Sequence, residues 1–219
     1  MKGPDMATTS FAPTASGSGP ATATLPPILV ARHGDLATVT DLIADAFTTS
    51  PVASWLVPDE PERPAVVRNV AASVVEHALD HGTVHVFDDR SGAAVWRTCP
   101  ASYTPHHERR WAAACGDYAD RFETVDRLID DSGPMRLHHN LVFLAVRRDA
   151  QRTGRGTALL RHHHDRLDQQ GTPAYVAAAS AGASALFARH GYERRPAFMV
   201  RGGPVFWPMV RPSGRTAPA

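Results

Sequence analysis

An apolar strand that leads directly into a glycine-rich turn and an amphipathic helix is the feature that most restricts the fold of this 219-residue chain. The run NLVFLAV at 140–146 is typical of a buried β-strand, because every residue after the asparagine is apolar. The segment QRTGRG follows at 151–156, and a helical pattern of apolar residues continues to about 170. This order predicts a strand–turn–helix unit of an α/β domain.

A glycine-rich turn at the start of a helix is typical of a phosphate site. The first helical turn has unpaired backbone N–H groups and a partial positive charge, and both favour an anion. A dinucleotide fold requires the pattern GxGxxG, but Leu159 takes the place of the third glycine. A P-loop requires GxxxxGK followed by Ser or Thr, and the sequence contains no such string. What remains is another kind of phosphate-binding turn, or a corner that binds nothing.

The rest of the chain predicts one mixed α/β domain over residues 27–212. Periodicity and turn residues predict strands at 28–31, 83–87, 93–98, 140–146, 174–179, 197–200 and 205–210. They predict helices at 36–47, 63–79, 154–170 and 183–191, and a largely helical stretch at 100–133. Residues 1–26 are mostly Ser, Thr, Ala, Pro and Gly, which predicts a disordered tail, and residues 213–219 are predicted to be a flexible C-terminus.

Composition excludes several functional classes. Lys and Arg number 23 against 22 Asp and Glu, so no strong field predicts binding to nucleic acid or to a membrane. No apolar run approaches the roughly 20 residues that span a bilayer, and the tail lacks the apolar stretch of a signal peptide. Cys99 and Cys115 form no CxxC pair, which suits a reducing cytoplasm and predicts no zinc site. Consecutive His162, His163 and His164 diverge around a helix and cannot share one metal ion; we expect the middle one half-buried and the others solvated.

The turn at 151–156 has the form Q-x-x-G-x-G and, in this position, resembles the coenzyme A-binding motif of the GNAT superfamily of N-acetyltransferases. The segment LFARHGYE at 186–193 and the order of elements over about 28–211 are also similar to that family. The run AAVWRT at 93–98 and the long insert before the fourth strand are most similar to puromycin N-acetyltransferase-type members from actinomycetes. The resemblance implies an α/β fold with a mixed, mostly antiparallel central sheet flanked by helices, in which strands four and five splay apart.

The resemblance also implies acetyl-CoA as the acyl donor. The main chain of residues 144–146 would pair with the pantetheine arm, and the Leu144 N–H would stabilise the oxyanion. The glycines of the turn would let the pyrophosphate approach the main chain, and its arginines would add mobile cations. The residues implied to bind the coenzyme are Leu144, Ala145, Val146, Gln151, Arg152, Thr153, Gly154, Arg155, Gly156, Thr157 and Phe187.

The positions of the usual base and acid of the family hold unusual residues. Where some members carry a carboxylate on strand four, this chain has Asn140, which cannot act as a base. His138 lies two residues earlier on the same face, and is either the base, directly or through water, or a histidine that faces solvent. Where the family usually has a tyrosine that protonates the leaving thiolate, this chain has Phe187, so Ser184 or water would take that role. The candidate catalytic residues are Leu144, Asn140, His138 and Ser184.

The resemblance thus predicts a cytoplasmic acetyl-CoA-dependent N-acetyltransferase that acts through a ternary complex, with no metal. The predicted acceptor is a small-molecule primary amine, such as an antibiotic or a biosynthetic intermediate. Candidates for the walls of its site are Phe47, Trp55, Trp111 and Tyr118, with His106 and His107 at the border. Because the usual acid and base are missing, a weakly active acyl-CoA sensor or partner protein stays open as an alternative, as does acetylation of a protein N-terminus. The sequence leaves both a monomer and a homodimer open.

Overall fold

A computed structural model of the chain describes residues 24–100 and 105–214. This described part contains eight strands: β1 (Ile28–Val30), β2 (Gly82–Phe87), β3 (Gly92–Cys99), β4 (His138–Val146), β5 (Ala174–Ala178), β6 (Glu193–Arg194), β7 (Phe198–Met199) and β8 (Val205–Arg211). It also contains seven α-helices: α1 (Leu36–Phe47), α2 (Pro51–Leu56), α3 (Arg63–His81), α4 (Pro105–Cys115), α5 (Ala119–Asp131), α6 (Arg155–Gln170) and α7 (Ala181–Ala188). Short 3-10 helices lie at His33–Asp35, Gly116–Tyr118 and Arg148–Ala150.

The strands form a mixed sheet in the order β1-β2-β3-β4-β5-β8-β6. Strand β7 pairs with the first two residues of β8. Within the described chain, β4 and β5 are the parallel pair and the other neighbours are antiparallel. The turn residues at 88–91 join β2 and β3 into the predicted hairpin. The predicted mixed, mostly antiparallel sheet is confirmed.

Strands β4 and β5 separate after a short contact. Two Cα pairs join them, His139 with Ala174 and Asn140 with Tyr175, and both lie near the start of each strand. A β-bulge at Val142, which has no partner in β3, bends β4 just beyond this contact. A cleft therefore opens between the second half of β4 and β5, which confirms the predicted splay.

Helices cover both faces of the sheet. On one face, α1 and α3 bury an apolar core against β2, β3 and β4. On the other face, α6 and α7 pack on a core that includes Trp96, Leu141 and Met209. A third apolar cluster joins α2, α4 and α5 to β8 through residues such as Phe122 and Phe206. Helices α4 and α5 form an insert between β3 and β4 in the chain. Their apolar side chains line one side of the cleft.

Most predicted elements are present, with ends that differ by up to three residues. The sequence interpretation missed α2 and the two-residue strand β6. Helix α2 begins at a local signal, since the Ser50 side chain accepts a hydrogen bond from Ala53 N at 3.1 Å. The helix predicted at 183–191 starts earlier for the same reason, because the Ser180 hydroxyl accepts from Ala183 N at 3.1 Å.

The two predicted terminal segments lie mainly outside the described residues, at 1–23 and 215–219. Leu25 packs against the core beside α6, and Pro27 O accepts a hydrogen bond from Asp88 N at 2.9 Å. At the other end, Gly214 N donates to Asp168 on α6 at 2.8 Å. We therefore propose that the folded domain begins just before Leu25.

Deletion of residues 1–23 should change the free energy of unfolding by less than about 0.5 kcal/mol, because so few of their side chains are apolar. Deletion of residues 1–26 serves as the contrast, since it also removes Leu25 from the core and should be destabilising. Thermal unfolding of both truncations beside the full chain measures the difference. A loss of several degrees in the shorter deletion would show that the tail packs on the domain or on a second copy.

Candidate active site

The edge of β4 that faces the cleft presents backbone N–H groups. Arg147 N donates to Ser91 O at 2.9 Å, which makes these residues a hydrogen-bonded pair of the antiparallel ladder with β3. Such pairs alternate along a ladder, so Ala145 also bonds to β3, while the N–H groups of Leu144 and Val146 point the other way. Because β5 has diverged at this level, the Leu144 N–H faces the cleft, as the predicted oxyanion contact requires. The main chain of Ala145 faces β3 instead.

The two glycines of the predicted phosphate turn differ in backbone conformation and in surroundings. Gly154 has φ of +88°, where any side chain is strained, and an added Cβ would meet open space. Gly156 lies within the helix, and its added Cβ would lie 3.9 Å from the side chains of Leu144 and Leu186. Helix α6 makes its first hydrogen bond from Ala158 N to Gly154 O at 2.9 Å, so the N–H groups of residues 155–157 have no partner within the helix. These amides can bind an anion above the turn.

Arg155 is anchored to the β2–β3 turn. Its Nε donates to Ser91 Oγ at 2.8 Å, Nη1 donates to Thr153 Oγ1 at 2.8 Å, and Nη2 lies 3.3 Å from a carboxylate oxygen of Asp89. The prediction of a mobile cation is therefore wrong for Arg155. Its contact with the coenzyme stays a prediction.

Other side chains of the turn make hydrogen bonds within the protein. Gln151 Nε2 donates to Val146 O at 3.0 Å, which ties the turn to the cleft-facing edge of β4. The Thr157 hydroxyl lies 3.2 Å from His190 Nε2. Arg152 has a left-handed backbone conformation, with φ of +60°. Its side chain is exposed, so its charge can approach a phosphate at the rim of the turn.

The cleft continues into a chamber of about 760 Å³ that is enclosed by α1 to α5, β4, β5 and α7. Its aromatic lining consists of Phe47, Trp111, Phe122, Phe143, Phe187 and Phe206. Of the predicted acceptor walls, Phe47 and Trp111 line this chamber, whereas Trp55 and Tyr118 do not. His107 also lines it, and the His106 side chain lies outside the described part of the chain.

Five ionisable side chains line the described part of the chamber, namely His77, Arg97, His107, Glu108 and Asp126. Arg97 donates to Asp130 at 2.7 Å and lies 3.6 Å from Asp126. The rings of His77 and His107 are 4.1 Å apart. Burial lowers the pKa of His77 to about 4 and also lowers the pKa of His107, so both rings are neutral at pH 7. Burial raises the pKa of the Asp126 carboxyl.

The sequence interpretation missed most of this ionisable group. A signal was present in α5, where Phe122, Asp126 and Ile129 follow helical spacing and all line the chamber. A carboxylate on the apolar face of an amphipathic helix is unusual, and it could have marked Asp126 as a site residue.

The predicted base and acid do not line the chamber. His138 is 6% exposed, so the alternative of a solvent-facing histidine is wrong; its Nδ1 donates to Arg136 O at 2.8 Å. Asn140 is buried beside the β4–β5 contact. The Ser184 hydroxyl accepts from Arg194 Nε at 2.8 Å and lies 3.4 Å from Met209 Sδ, on the side of α7 that faces β8. The catalytic roles of these three residues stay predictions.

A second group of histidines lies on the opposite face of the sheet, between β2, β4 and α6. His163 Nδ1 lies 3.0 Å from His85 Nε2, and His163 Nε2 lies 3.0 Å from His139 Nδ1. His163 is fully buried rather than half-buried, and His164 is buried against Tyr192 rather than solvated. His162 is exposed as predicted. In the described part of the chain, no group of three or more His, Cys, Asp or Glu is arranged to hold a metal ion.

The order of strands, the splayed cleft and the turn below it agree with a match in sequence. Residues 127–212 match the family model of the acetyltransferase (GNAT) domain. The match covers less than half of the chain, from the end of α5 to β8, and it supports an acetyltransferase enzyme. The acyl donor of GNAT acetyltransferases is acetyl-CoA.

Solved structures share the GNAT fold along almost the whole domain. A structure described as histone acetyltransferase HPA2 and related acetyltransferase, from Corynebacterium glutamicum ATCC 13032, is 22% identical with a TM-score of 0.66, and the match covers 88% of this chain and 99% of that one. Arylalkylamine N-acetyltransferase 2 from Aedes aegypti is 9% identical with a TM-score of 0.64, over 86% and 99% of the two chains. The ribosomal-protein-S18-alanine N-acetyltransferase from Escherichia coli is 15% identical with a TM-score of 0.51, over 87% and 96%. At these identities the likeness concerns the fold. None of the curated proteins matches the chain in sequence.

The GNAT fold of this chain includes no helix, among those described, that has the length and apolar character to cross a bilayer.

Proposed function

We propose that this protein transfers the acetyl group of acetyl-CoA to a small-molecule primary amine by direct attack in a ternary complex. The observation that carries the proposal is the chamber, which opens from the β4–β5 cleft and is walled by six helices. Its volume of about 760 Å³ is that of a site for a small ligand. The insert helices α4 and α5 narrow it further, which favours a small molecule over a protein N-terminus.

In the proposed reaction, the ammonium form of the acceptor first gives one proton to a chamber base or to water, and the lone pair of the resulting amine then attacks the carbonyl carbon of the thioester. The carbonyl oxygen becomes an oxyanion, which the cleft-facing Leu144 N–H stabilises. The carbon–sulfur bond then breaks, the thiolate of coenzyme A leaves, and the nitrogen gives up one proton. Of the described chamber residues, His77, His107, Glu108 and Asp126 offer lone pairs that can receive it, directly or through water.

The reaction is tested by thiol release from acetyl-CoA over a panel of amines, with acetyl-CoA affinity measured separately by calorimetry. The proposal expects acetylated product from at least one small-molecule amine and none from peptides with free N-termini. Turnover of peptides alone would overturn the proposed acceptor class.

A second candidate is an acyl-CoA-binding protein with little or no turnover. It is favoured by α7, whose chamber-lining residues Ala183, Leu186 and Phe187 carry no proton donor for a leaving thiolate. Tight acetyl-CoA binding without thiol release for any amine would establish this alternative.

The change Phe187→Tyr should accelerate acetyl transfer by at most about tenfold, because coenzyme A thiolate is already a fair leaving group. The Phe187 ring lines the chamber, and the resemblance to the family places it beside the sulfur, where an added hydroxyl would protonate the leaving thiolate. Initial rates at saturating acetyl-CoA measure the effect. Phe206→Tyr is the matched control, as it adds the same hydroxyl to a chamber ring on β8 and should not accelerate the reaction. A slower Phe187→Tyr enzyme would place the sulfur elsewhere.

The proposal includes a cytoplasmic location, which agrees with two free, buried cysteines at 99 and 115. The similarity to puromycin N-acetyltransferase-type members stays a prediction about the acceptor, and puromycin belongs in the amine panel for that reason. A homodimer also stays a prediction, which sedimentation of the purified protein tests.

A further inference from the structure

We propose that the chamber selects a cationic amine with a bulky apolar body, and that Asp126 on α5 supplies the negative charge that binds the cation. This inference rests on the proposed function and names the acceptor class and the residue that selects it.

The distribution of polar and apolar residues around the chamber supports an acceptor with a bulky apolar body. Its ionisable side chains all come from α3, α4, α5 and the end of β3, so they occupy one wall. The walls formed by α1, α2, β5 and α7 are apolar apart from the small hydroxyls of Ser50 and Ser180. A ligand that fills this space must bury apolar surface against most of the chamber and place a polar group at one side. Polyamines and aminoglycosides, which carry charges along their whole length, do not fit that distribution.

The balance of charge on the polar wall supports Asp126 as the residue that binds the cation. Arg97 is 11% exposed, and its closest carboxylate is Asp130 at 2.7 Å. The 3.6 Å from Arg97 to Asp126 is longer than a hydrogen bond, and the Asp126 side chain is 41% exposed. Since the two chamber histidines are neutral at pH 7, Asp126, Asp130 and Glu108 bring three carboxylates against one guanidinium among the described residues.

Asp130 is the closer partner of Arg97, so Asp126 keeps a looser ion pair at 3.6 Å and still lines the chamber, where a second cation would be attracted to it. The ammonium form of a primary amine is such a cation, and its attached apolar group matches the remaining walls. A neutral or anionic acceptor would gain no such attraction, and Asp126 would keep only its ion pair with Arg97 at 3.6 Å. Because α5 belongs to the insert between β3 and β4, the insert would determine which acceptors enter.

The experiment measures binding to the full-length protein saturated with coenzyme A, so that its readout does not depend on turnover. The probes are 2-phenylethylamine, which is cationic, and 2-phenylethanol, which has a similar shape and no charge. Calorimetry gives the Kd of each for the parent protein and for Asp126→Asn. We expect the substitution to weaken the amine about 10- to 100-fold, the usual effect of one charge-assisted hydrogen bond, and to leave the alcohol within about twofold.

The control is Asp131→Asn, which removes the same charge from an exposed position of the same helix and should change neither Kd. Equal weakening of both probes by Asp126→Asn would mean that Asp126 only holds Arg97 in place, and would overturn the inference. No change for either probe, or tighter binding of spermidine or kanamycin than of 2-phenylethylamine by the parent, would also overturn it. Amine binding that depends on Asp126, but without thiol release from acetyl-CoA, would support the inference while the proposed function fails.

Discussion

Lowering the pH from 7.5 to 5.5 should remove several kcal/mol from the free energy of unfolding. Burial lowers the pKa of His85 to about 4, of His163 to about 2 and of His164 to about 3. These three rings are at most 4% exposed, and so stay neutral in the folded protein at pH 5.5. The unfolded chain binds protons at these residues below about pH 6.5, so the folded state loses stability as the pH falls through that value.

The size of the effect follows from the same linkage. One pH unit below the unfolded pKa, each such histidine removes about 1.4 kcal/mol, so the three together remove roughly 4 kcal/mol. That is a large share of the 5–15 kcal/mol typical of a domain, and urea unfolding at a series of pH values measures it.

The substitution His164→Gln keeps a hydrogen-bonding group near Tyr192 but cannot titrate, so it should reduce the loss of stability between pH 7.5 and 5.5 by about 1.4 kcal/mol. Equal stability at pH 7.5 and 5.5 would mean that these rings titrate normally in the folded protein.

Replacing Gly156 by valine should weaken acetyl-CoA binding about 10- to 100-fold, the loss expected when one charge-assisted hydrogen bond to a phosphate is prevented. Its Cβ would already lie 3.9 Å from the side chains of Leu144 and Leu186, so the two further methyl groups of valine would occupy space between the turn and the cleft. Because Gly156 has helical backbone angles, the fold should survive at a cost of about 1 kcal/mol or less. A calorimetric titration with acetyl-CoA and a thermal melt measure the two quantities separately.

The change Gly156→Ala is the matched control for that experiment. Its single methyl makes an ordinary contact with the two leucines, so it should keep the affinity and improve the helix by up to about 1 kcal/mol. Gly154 is less informative, because its φ of +88° would strain any side chain and confuse a folding effect with a binding effect. A folded valine variant with the affinity of the parent would end the assignment of phosphate to this turn.

The sequence alone determined the elements whose signals are local. The apolar run at 140–146, the turn at 151–156 and the periodic helix after it specified the β4–α6 unit without help from distant residues. The β2–β3 hairpin followed from turn residues between two apolar runs. The resemblance carried by the same motif added the splay of β4 and β5, which matched the structure.

Only the tertiary structure decided which side chains meet. Arg155 binds Asp89 and Ser91, which lie more than 60 positions away, and His163 contacts His85 78 positions away. The polar wall of the chamber likewise gathers His77, Arg97 and Asp126 from three separate elements. A periodic pattern shows which face of a helix or strand is buried, but it does not show which face of another element packs against it. The burial of His164 and the charge of the chamber both depend on that second face, so they emerge only when helices and sheet are packed together.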